Sequence, residues 1–140
     1  MRYTNGGAMM DTAAADQIGK EKILLVDDDV RLLEALEMAL VARGKQVEAC
    51  STFEAGRRAL RNGHFDSLIT DVRLGAFNGL QLAVIARDEQ PHIRIIVFSG
   101  FEDPVLRAEA AAVGADYLVK PVTGLELCTV LERDRKEANP

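Results

Sequence analysis

The amino-acid sequence predicts an α/β fold in which helices cover both faces of a single parallel β-sheet. Two observations lead to this prediction. Short apolar runs rich in β-branched residues recur along the chain, and each is followed by a segment whose apolar residues return every three or four positions. The first pattern is typical of strands buried on both faces, and the second of amphipathic helices. Their regular alternation predicts a three-layer, doubly wound domain.

Five runs supply the strands of this sheet. They are ILLV at 23–26, KQVEAC at 45–50, SLIT at 67–70, IRIIVF at 93–98 and DYLV at 116–119. The second run alternates polar and apolar residues, which predicts an edge strand, whereas the other four favour strands buried on both faces. For five consecutive β–α units we expect the flavodoxin-like strand order 2-1-3-4-5.

The first two helices are bounded by capping signals. The first helix ends at Gly44, and the second begins at the capping box of Ser51 and Glu54 and ends at Gly63. The apolar stripe of the first helix consists of Leu33, Leu36 and Leu40.

The third and fourth helices carry equally local signals. Asn78 is a suitable N-cap for the third helix, which must stop before Pro91. Asp103 followed by Pro104 predicts an N-cap and first residue for the fourth helix, and Gly114 predicts its end.

The fifth helix begins at the capping box of Thr123 and Glu126. Its apolar stripe consists of Leu127, Val130 and Leu131. The composition then divides the chain into a small-residue, polar leader at 1–21 that we expect to be disordered, one domain at 22–133, and a charged tail at 134–140.

Composition excludes several classes of function. The chain of 140 residues has 17 Lys and Arg against 22 Asp and Glu, a net charge of -5, which disfavours general nucleic-acid binding. It has no apolar run of roughly 18 residues and no signal-peptide pattern, so we expect no membrane contact. Cys50 and Cys128 are interpreted as apolar fillers in a reducing, cytoplasmic setting, and His64 and His92 as surface residues.

Polar residues follow the strands at the edge of the sheet where such folds bind ligands. They are Asp27, Asp28 and Asp29 after the first strand, Asp71 after the third, Ser99 after the fourth and Lys120 after the fifth. Two carboxylates about 4 Å apart repel by roughly 4 kcal/mol at an effective dielectric of 20. A hard cation offsets that repulsion, so the cluster predicts a Mg²⁺ site completed by a phosphate.

Each of these residues also has a plainer interpretation. Asp29 alone is best read as the cap of the first helix. Asp71 could be a carboxylate nucleophile toward phosphorus or the first residue of a turn, and the residue taken alone favours neither interpretation. Ser99 and Lys120 could bind a phosphate, or lie in a turn and on the surface. The bond from Lys120 to Pro121 is a candidate for the cis isomer, although trans is commoner.

The segments ILLVDDD, LITDVRLGAFNG, IIVFSG and GADYLVKP together resemble the receiver domain of bacterial two-component response regulators, here of the stand-alone, single-domain type. The resemblance covers Lys22 to about Arg133. It implies that Asp71 is the phosphoacceptor and that Asp27 and Asp28 hold Mg²⁺ with it. It also implies that the backbone carbonyl of Arg73 completes the metal shell.

The same resemblance implies a switch. Ser99 engages the phosphoryl group, Lys120 pairs with it, and Tyr117 occupies the switch position and rotates inward. Apart from the resemblance, Tyr117 is interpreted as a half-buried strand aromatic with its hydroxyl in water, and we expect both descriptions to hold. Gly75 stands where many receivers carry Pro, which we expect to loosen the loop after the acceptor. Phe101 occupies a position that tunes hydrolysis, where we expect it to shield the acyl phosphate.

The resemblance further implies partners and an outcome. A histidine kinase or phosphotransfer protein donates the phosphoryl group, and the face of the fourth helix, fifth strand and fifth helix is remodelled. The protein catalyses only its own phosphorylation and dephosphorylation. Because no output domain follows Pro140 in the sequence, we expect the signal to pass to a target protein or a homodimer, without direct nucleic-acid contact.

Two hypotheses from other classes remain open at this stage. A small haloacid-dehalogenase-like phosphatase would use Asp27 as nucleophile, with Asp29 completing a D-x-D motif, but only Glu126 is available for its later acidic motif. A flavodoxin-type FMN protein is disfavoured because the acidic first loop would repel the FMN phosphate.

Overall fold

The computed structural model of the protein describes residues 19–138. The predicted leader at 1–21 lies outside these residues except for its last three positions. Of the predicted charged tail, positions 139–140 also lie outside, and positions 134–138 belong to the last helix, which ends at Ala138.

The described chain alternates five sheet strands with five helices. The strands are β1 (Lys22–Val26), β2 (Gln46–Cys50), β3 (Ser67–Asp71), β4 (Arg94–Ser99) and β5 (Ala115–Val119). The helices are α1 (Val30–Ala42), α2 (Phe53–Asn62), α3 (Gly79–Glu89), α4 (Pro104–Ala112) and α5 (Gly124–Ala138). All strand pairs in the sheet are parallel, and the spatial order β2-β1-β3-β4-β5 confirms the predicted 2-1-3-4-5 topology.

Two apolar cores lie on opposite faces of the sheet, which confirms the predicted three layers. Alternate residues of each central strand enter opposite cores, as Leu24 and Leu25 of β1 do. One core packs the sheet against α2, α3 and α4, and the other packs it against α1 and α5. Strands β1 and β3 are buried from end to end, apart from the half-buried Lys22.

The expectation that the fifth strand is buried on both faces is wrong. Within β5 only Tyr117 is buried, and Val119 is 36% exposed. The physical reason is position, since β5 pairs with β4 on one side and no other described strand covers its outer edge. Strand β2 is the opposite edge, as its alternating sequence predicted.

The capping predictions hold for four helices and fail for one. The confirmed N-caps are Asp29, Asn78, Asp103 and the reciprocal pair of Thr123 and Glu126. For α2 the cap is Thr52 rather than Ser51, because Thr52 has the extended backbone and its side chain accepts from the amide of Ala55 at 3.0 Å. The predicted box of Ser51 and Glu54 therefore does not form.

A short antiparallel hairpin between β3 and α3 was not predicted. Arg73–Leu74 pairs with Phe77–Asn78 across a two-residue turn. The turn begins at Gly75, whose φ of 63° suits the first central residue of the type I′ and II′ turns that join hairpin strands. The signal was present in the sequence, since Gly75 lies between apolar residues in a pattern typical of such turns.

Within residues 19–138, no helix has both the length and the apolar character required to cross a bilayer.

Candidate functional site

Three carboxylates meet at the carboxyl ends of β1 and β3. Because these strands are parallel neighbours, their ends coincide, and the side chains of Asp27, Asp28 and Asp71 can each offer an oxygen within 4.8 Å of the others. Asp27 is fully buried, Asp71 is 6% exposed and Asp28 is exposed. The structure therefore brings together the acidic residues that the sequence placed at this edge.

Backbone amides orient each of the three carboxylates. Asp27 Oδ1 accepts from the amide of Asp29 at 2.8 Å, and Asp71 Oδ1 accepts a longer bond of 3.4 Å from the amide of Arg73. Asp28 Oδ2 accepts from the amide of Gly75 at 3.0 Å. Asp29 itself caps α1 by accepting from the amide of Leu32, which confirms the plainer interpretation of that residue.

Lys120 supplies the positive charge of the cluster. Its Nζ atom lies 3.2 Å from Asp71 Oδ2 and 3.2 Å from Asp27 Oδ2, and it also lies over the ring of Phe98 at 5.1 Å. Burial lowers the pKa of the Lys120 ammonium, but Asp71 and Asp27 outweigh that effect and raise it above its usual value. The bond to Pro121 is cis, the isomer that the sequence made a candidate.

One ammonium does not neutralise the cluster. Burial, followed by the charge of Asp27, raises the pKa of the Asp71 carboxyl even though Lys120 acts in the opposite direction. Asp27 Oδ2 is buried and pairs with the Lys120 ammonium, which Asp71 shares. Three clustered carboxylates that share one ammonium form a set of hard oxygen ligands that fits a divalent cation such as Mg²⁺. The part assigned to the Arg73 carbonyl stays a prediction.

Gly79 lets the first turn of α3 approach the end of β3. Its amide donates to the carbonyl of Val72 at 2.6 Å, and a Cβ atom at this position would overlap the carbonyl oxygen of Asp71. The sequence indicated only a turn residue here, because the close approach depends on how α3 packs against β3.

Ser99 and Tyr117 are linked through a single residue, Phe101. Ser99 is buried at the end of β4, and its Oγ accepts from the amide of Phe101 at 3.3 Å. The hydroxyl of Tyr117 donates to the carbonyl of Phe101 at 2.6 Å, and the tyrosine is only 5% exposed. The interpretation of Tyr117 as half-buried with its hydroxyl in water is therefore wrong, since the residue is buried and its hydroxyl is bonded to a backbone carbonyl.

Two arginines surround this linkage. The guanidinium of Arg107 lies 4.9 Å from the centre of the Tyr117 ring and pairs with Glu102, at 2.6 Å and 2.9 Å. The hydrogen bond from Arg107 holds the pKa of the Glu102 carboxyl below its usual value. On the other side, the Arg73 guanidinium lies 5.5 Å from the centre of the Phe101 ring. Neither contact was predicted, because both join residues on different elements.

The cysteines and histidines lie where the sequence placed them. Cys50 and Cys128 are buried free thiols, and burial is the main cause that raises the pKa of each. His64 and His92 are exposed.

Comparison with known proteins identifies the family. Residues 23–132 match the family described as the response regulator receiver domain, and this chain belongs to that family. It is similar in structure to a CheY-like receiver domain protein of Methanospirillum hungatei, with a TM-score of 0.79 and 26% identity over 85% of this chain and 96% of the other.

Curated relatives are longer proteins. The chain is 33% identical over 117 residues to the photosynthetic apparatus regulatory protein RegA of Rhodobacter capsulatus, covering 82% of this chain and 64% of that protein. It is 34% identical over 119 residues to the DNA-binding transcriptional regulator NtrC of Azospirillum brasilense, covering 84% of this chain and 25% of that protein. The chain thus spans under two-thirds of the length of these two relatives.

Proposed function

We propose that this chain accepts a phosphoryl group on Asp71 and thereby switches a protein-binding surface. The observation that carries the proposal is the position of the Asp71 carboxylate. It lies at the end of a buried strand, in contact with Lys120 and within 4.8 Å of two further carboxylates. The donor is a histidine kinase or a phosphotransfer protein, as receiver-family membership suggests.

The residues that would hold Mg²⁺ are Asp27, Asp28, Asp71 and the carbonyl of Arg73. The bound cation would offset the negative charge that gathers on the transferring phosphoryl oxygens. Its fit is supported by the clustering of three carboxylates around the one ammonium of Lys120, so that carboxylate charge exceeds ammonium charge in the cluster.

In the proposed reaction a carboxylate oxygen of Asp71 attacks phosphorus and forms an acyl phosphate, while the bond from phosphorus to the donor histidine breaks. The imidazole nitrogen keeps the electron pair of that bond and takes a proton from water. The raised pKa of Asp71 makes its ionised carboxylate a stronger base, and therefore a better nucleophile toward phosphorus. Lys120 then remains within reach of the new phosphoryl oxygens.

The proposed switch runs from Ser99, at the end of β4, to Tyr117 on the neighbouring strand β5. The Ser99 hydroxyl accepts one hydrogen bond, and its own proton has no acceptor among residues 19–138, so it can donate to a phosphoryl oxygen. A movement of Ser99 would pull on Phe101, whose carbonyl holds the Tyr117 hydroxyl. This movement would change the fraction of molecules in which the Tyr117 ring points inward.

The proposed output surface is formed by α4, β5 and α5. Val105 on α4, Val119 on β5 and Leu125 on α5 are 65%, 36% and 58% exposed, which favours an apolar protein partner or a second copy of this chain. The absence of direct contact with nucleic acid or a membrane, the cytoplasmic location, and the restriction of catalysis to the chain's own phosphorylation and dephosphorylation remain predictions.

Family membership argues against the phosphatase hypothesis, and the roles of its two aspartates argue further against it. Asp27 is fully buried and Asp29 caps a helix.

The proposed phosphorylation of Asp71 is tested by phosphorylating the protein with acetyl phosphate and Mg²⁺, reducing the acyl phosphate with borohydride and locating the modified aspartate by peptide mass spectrometry. Modification at Asp71 supports the receiver function, whereas modification at Asp27 contradicts it.

A further inference from the structure

We infer that the backbone amide of Gly75 positions the Asp28 carboxylate for metal binding, and that the hairpin at 73–78 holds this donor in place. The inference rests on the proposed Mg²⁺-dependent function and names a positioning residue for it. Residue 75 is a glycine in this chain, whereas many of the receivers that it resembles have a proline at this position.

The contact joins two residues that are far apart in the sequence. The Gly75 amide donates to Asp28 Oδ2 at 3.0 Å, across 47 positions of chain. Among the three carboxylates Asp28 is the exposed one, so burial does not restrain its side chain. An ionised carboxylate can accept about four hydrogen bonds or ligand contacts, so the bond to Gly75 leaves Asp28 able to bind a cation.

The amide reaches Asp28 because residue 75 is a glycine in a two-residue hairpin turn. Its φ of 63° is a conformation that L residues with side chains rarely adopt. Proline would fix φ near about -65° and has no amide hydrogen. Alanine would keep the amide hydrogen at the cost of backbone strain, and no atom lies within 4 Å of where its Cβ would be.

The hairpin that carries Gly75 is anchored on both sides of the turn. Leu74 is 3% exposed, and the ring of Phe77 stacks on the ring of Phe53 with centroids 4.8 Å apart and planes 12° apart. The expectation that Gly75 loosens this loop relative to proline stays a prediction. A donor held in place before the metal arrives costs little ordering entropy on binding.

Hydrogen-bond partners of metal ligands commonly change metal affinity by about 10- to 100-fold when removed. Since Asp28 is one ligand of several and is partly solvated, we expect the lower end of that range. The Gly75→Pro variant should therefore bind Mg²⁺ about tenfold more weakly than the wild type, whereas Gly75→Ala, which keeps the amide hydrogen, should stay within about threefold.

Isothermal titration of the full chain with MgCl₂ measures these affinities, alongside the metal-free melting temperature of each variant. A tenfold loss in Gly75→Pro, together with near-wild-type affinity in Gly75→Ala, supports the inference. Equal affinity in Gly75→Pro and the wild type overturns it. An equal loss in both variants also overturns it, because strain at the turn would then be the cause.

A second measurement does not depend on metal or on the folding of the proline variant. In the metal-free protein, the amide proton of Gly75 should move upfield in the NMR spectrum of Asp28→Ala, while that of Gly100 should not. An unchanged Gly75 resonance would mean that the hydrogen bond is absent and would overturn the inference. If instead the wild type at saturating Mg²⁺ fails to become phosphorylated on Asp71, the proposed function fails, whatever the Gly75 resonance does.

Discussion

The hydroxyl of Tyr117 donates a 2.6 Å hydrogen bond to the backbone carbonyl of Phe101, and the tyrosine ring is buried. The amide of Phe101 donates in turn to Ser99 Oγ, beside the acceptor site. Ser99 and Tyr117, the two residues proposed to switch, therefore bind the amide and the carbonyl of the same residue, Phe101. Two hydrogen bonds through Phe101 thus connect Ser99 to Tyr117.

The first prediction concerns the arginine that covers Tyr117. Replacing Arg107 with Ala removes the guanidinium over the ring and the ion pair to Glu102, so the inward ring should become less populated. The chain has two tyrosines and no tryptophan, so a Tyr3→Phe background leaves Tyr117 as the reporter. Quenching of its fluorescence by acrylamide should increase.

The matched control is Arg57→Ala, which removes an exposed ion pair to Glu54 on α2, away from Tyr117. In this variant acrylamide should quench the fluorescence of Tyr117 to the same extent as in the parent. Equal quenching in the Arg107→Ala variant and the parent would count against a role for Arg107 in holding the ring.

The second prediction concerns Phe101 as a cover for the acyl phosphate. Phe101 is 61% exposed and lies under the Arg73 guanidinium, an interaction worth about 0.5–1 kcal/mol at exposed sites. In Phe101→Ala the ring and its contact with Arg73 are lost. Water should then reach the acyl phosphate, and the phosphorylated protein should decay about two- to fivefold faster. Phe77→Ala, which removes another exposed ring, is the comparison, and an unchanged decay in Phe101→Ala would refute the shielding role.

The third prediction follows from the raised pKa of Asp71. Burial and Asp27 make the folded protein hold the Asp71 proton more tightly than the unfolded chain does. Asp71 therefore stabilises the fold below the ordinary aspartate pKa of about 3.9, and this contribution is lost as pH rises through the raised value. In metal-free buffer, Asp71→Asn should melt a few degrees above the wild type near pH 7.

That difference in melting temperature should shrink as the pH falls toward the ordinary aspartate value. The exposed Asp88, on α3 and outside the acidic cluster, provides the control variant Asp88→Asn, which should show no such difference. A wild type that melts above Asp71→Asn at neutral pH would show that the attraction of Lys120 outweighs burial and repulsion.

The fourth prediction tests the close approach of α3 to the acceptor strand. A methyl group at Gly79 would overlap the carbonyl of Asp71, so Gly79→Ala should lower the free energy of unfolding by about 1–3 kcal/mol and slow phosphorylation. Gly100→Ala, where no atom lies within 4 Å of the added methyl, should be close to neutral. Similar urea denaturation curves for the two variants would show that α3 accommodates the methyl group without a loss in the free energy of unfolding.

The fold was predictable because its signals are local or follow from the order of elements. Asp103 before Pro104 starts α4, and the alternation of strands and helices predicts one parallel sheet covered on both faces. The choice between Ser51 and Thr52 as a cap was not predictable, because both side chains can cap and only the backbone conformation decides.

The candidate site was predictable as a set of residues but not as a set of contacts. Strand ends placed Asp27, Asp71 and Lys120 at one edge, and the structure brings them into contact. The acceptor of the Tyr117 hydroxyl is a backbone carbonyl, which every residue has, so no sequence pattern marks Phe101 as that acceptor.

The intact mass of the protein after incubation with acetyl phosphate is the most direct test of the central claim that Asp71 is a Mg²⁺-dependent phosphoacceptor. The wild type and Asp71→Asn are compared with Mg²⁺ and with EDTA. We predict one phosphoryl adduct per chain in the wild type with Mg²⁺, and none with EDTA or in Asp71→Asn. An adduct that persists in Asp71→Asn, or a wild type that stays unmodified under every condition, would contradict the account.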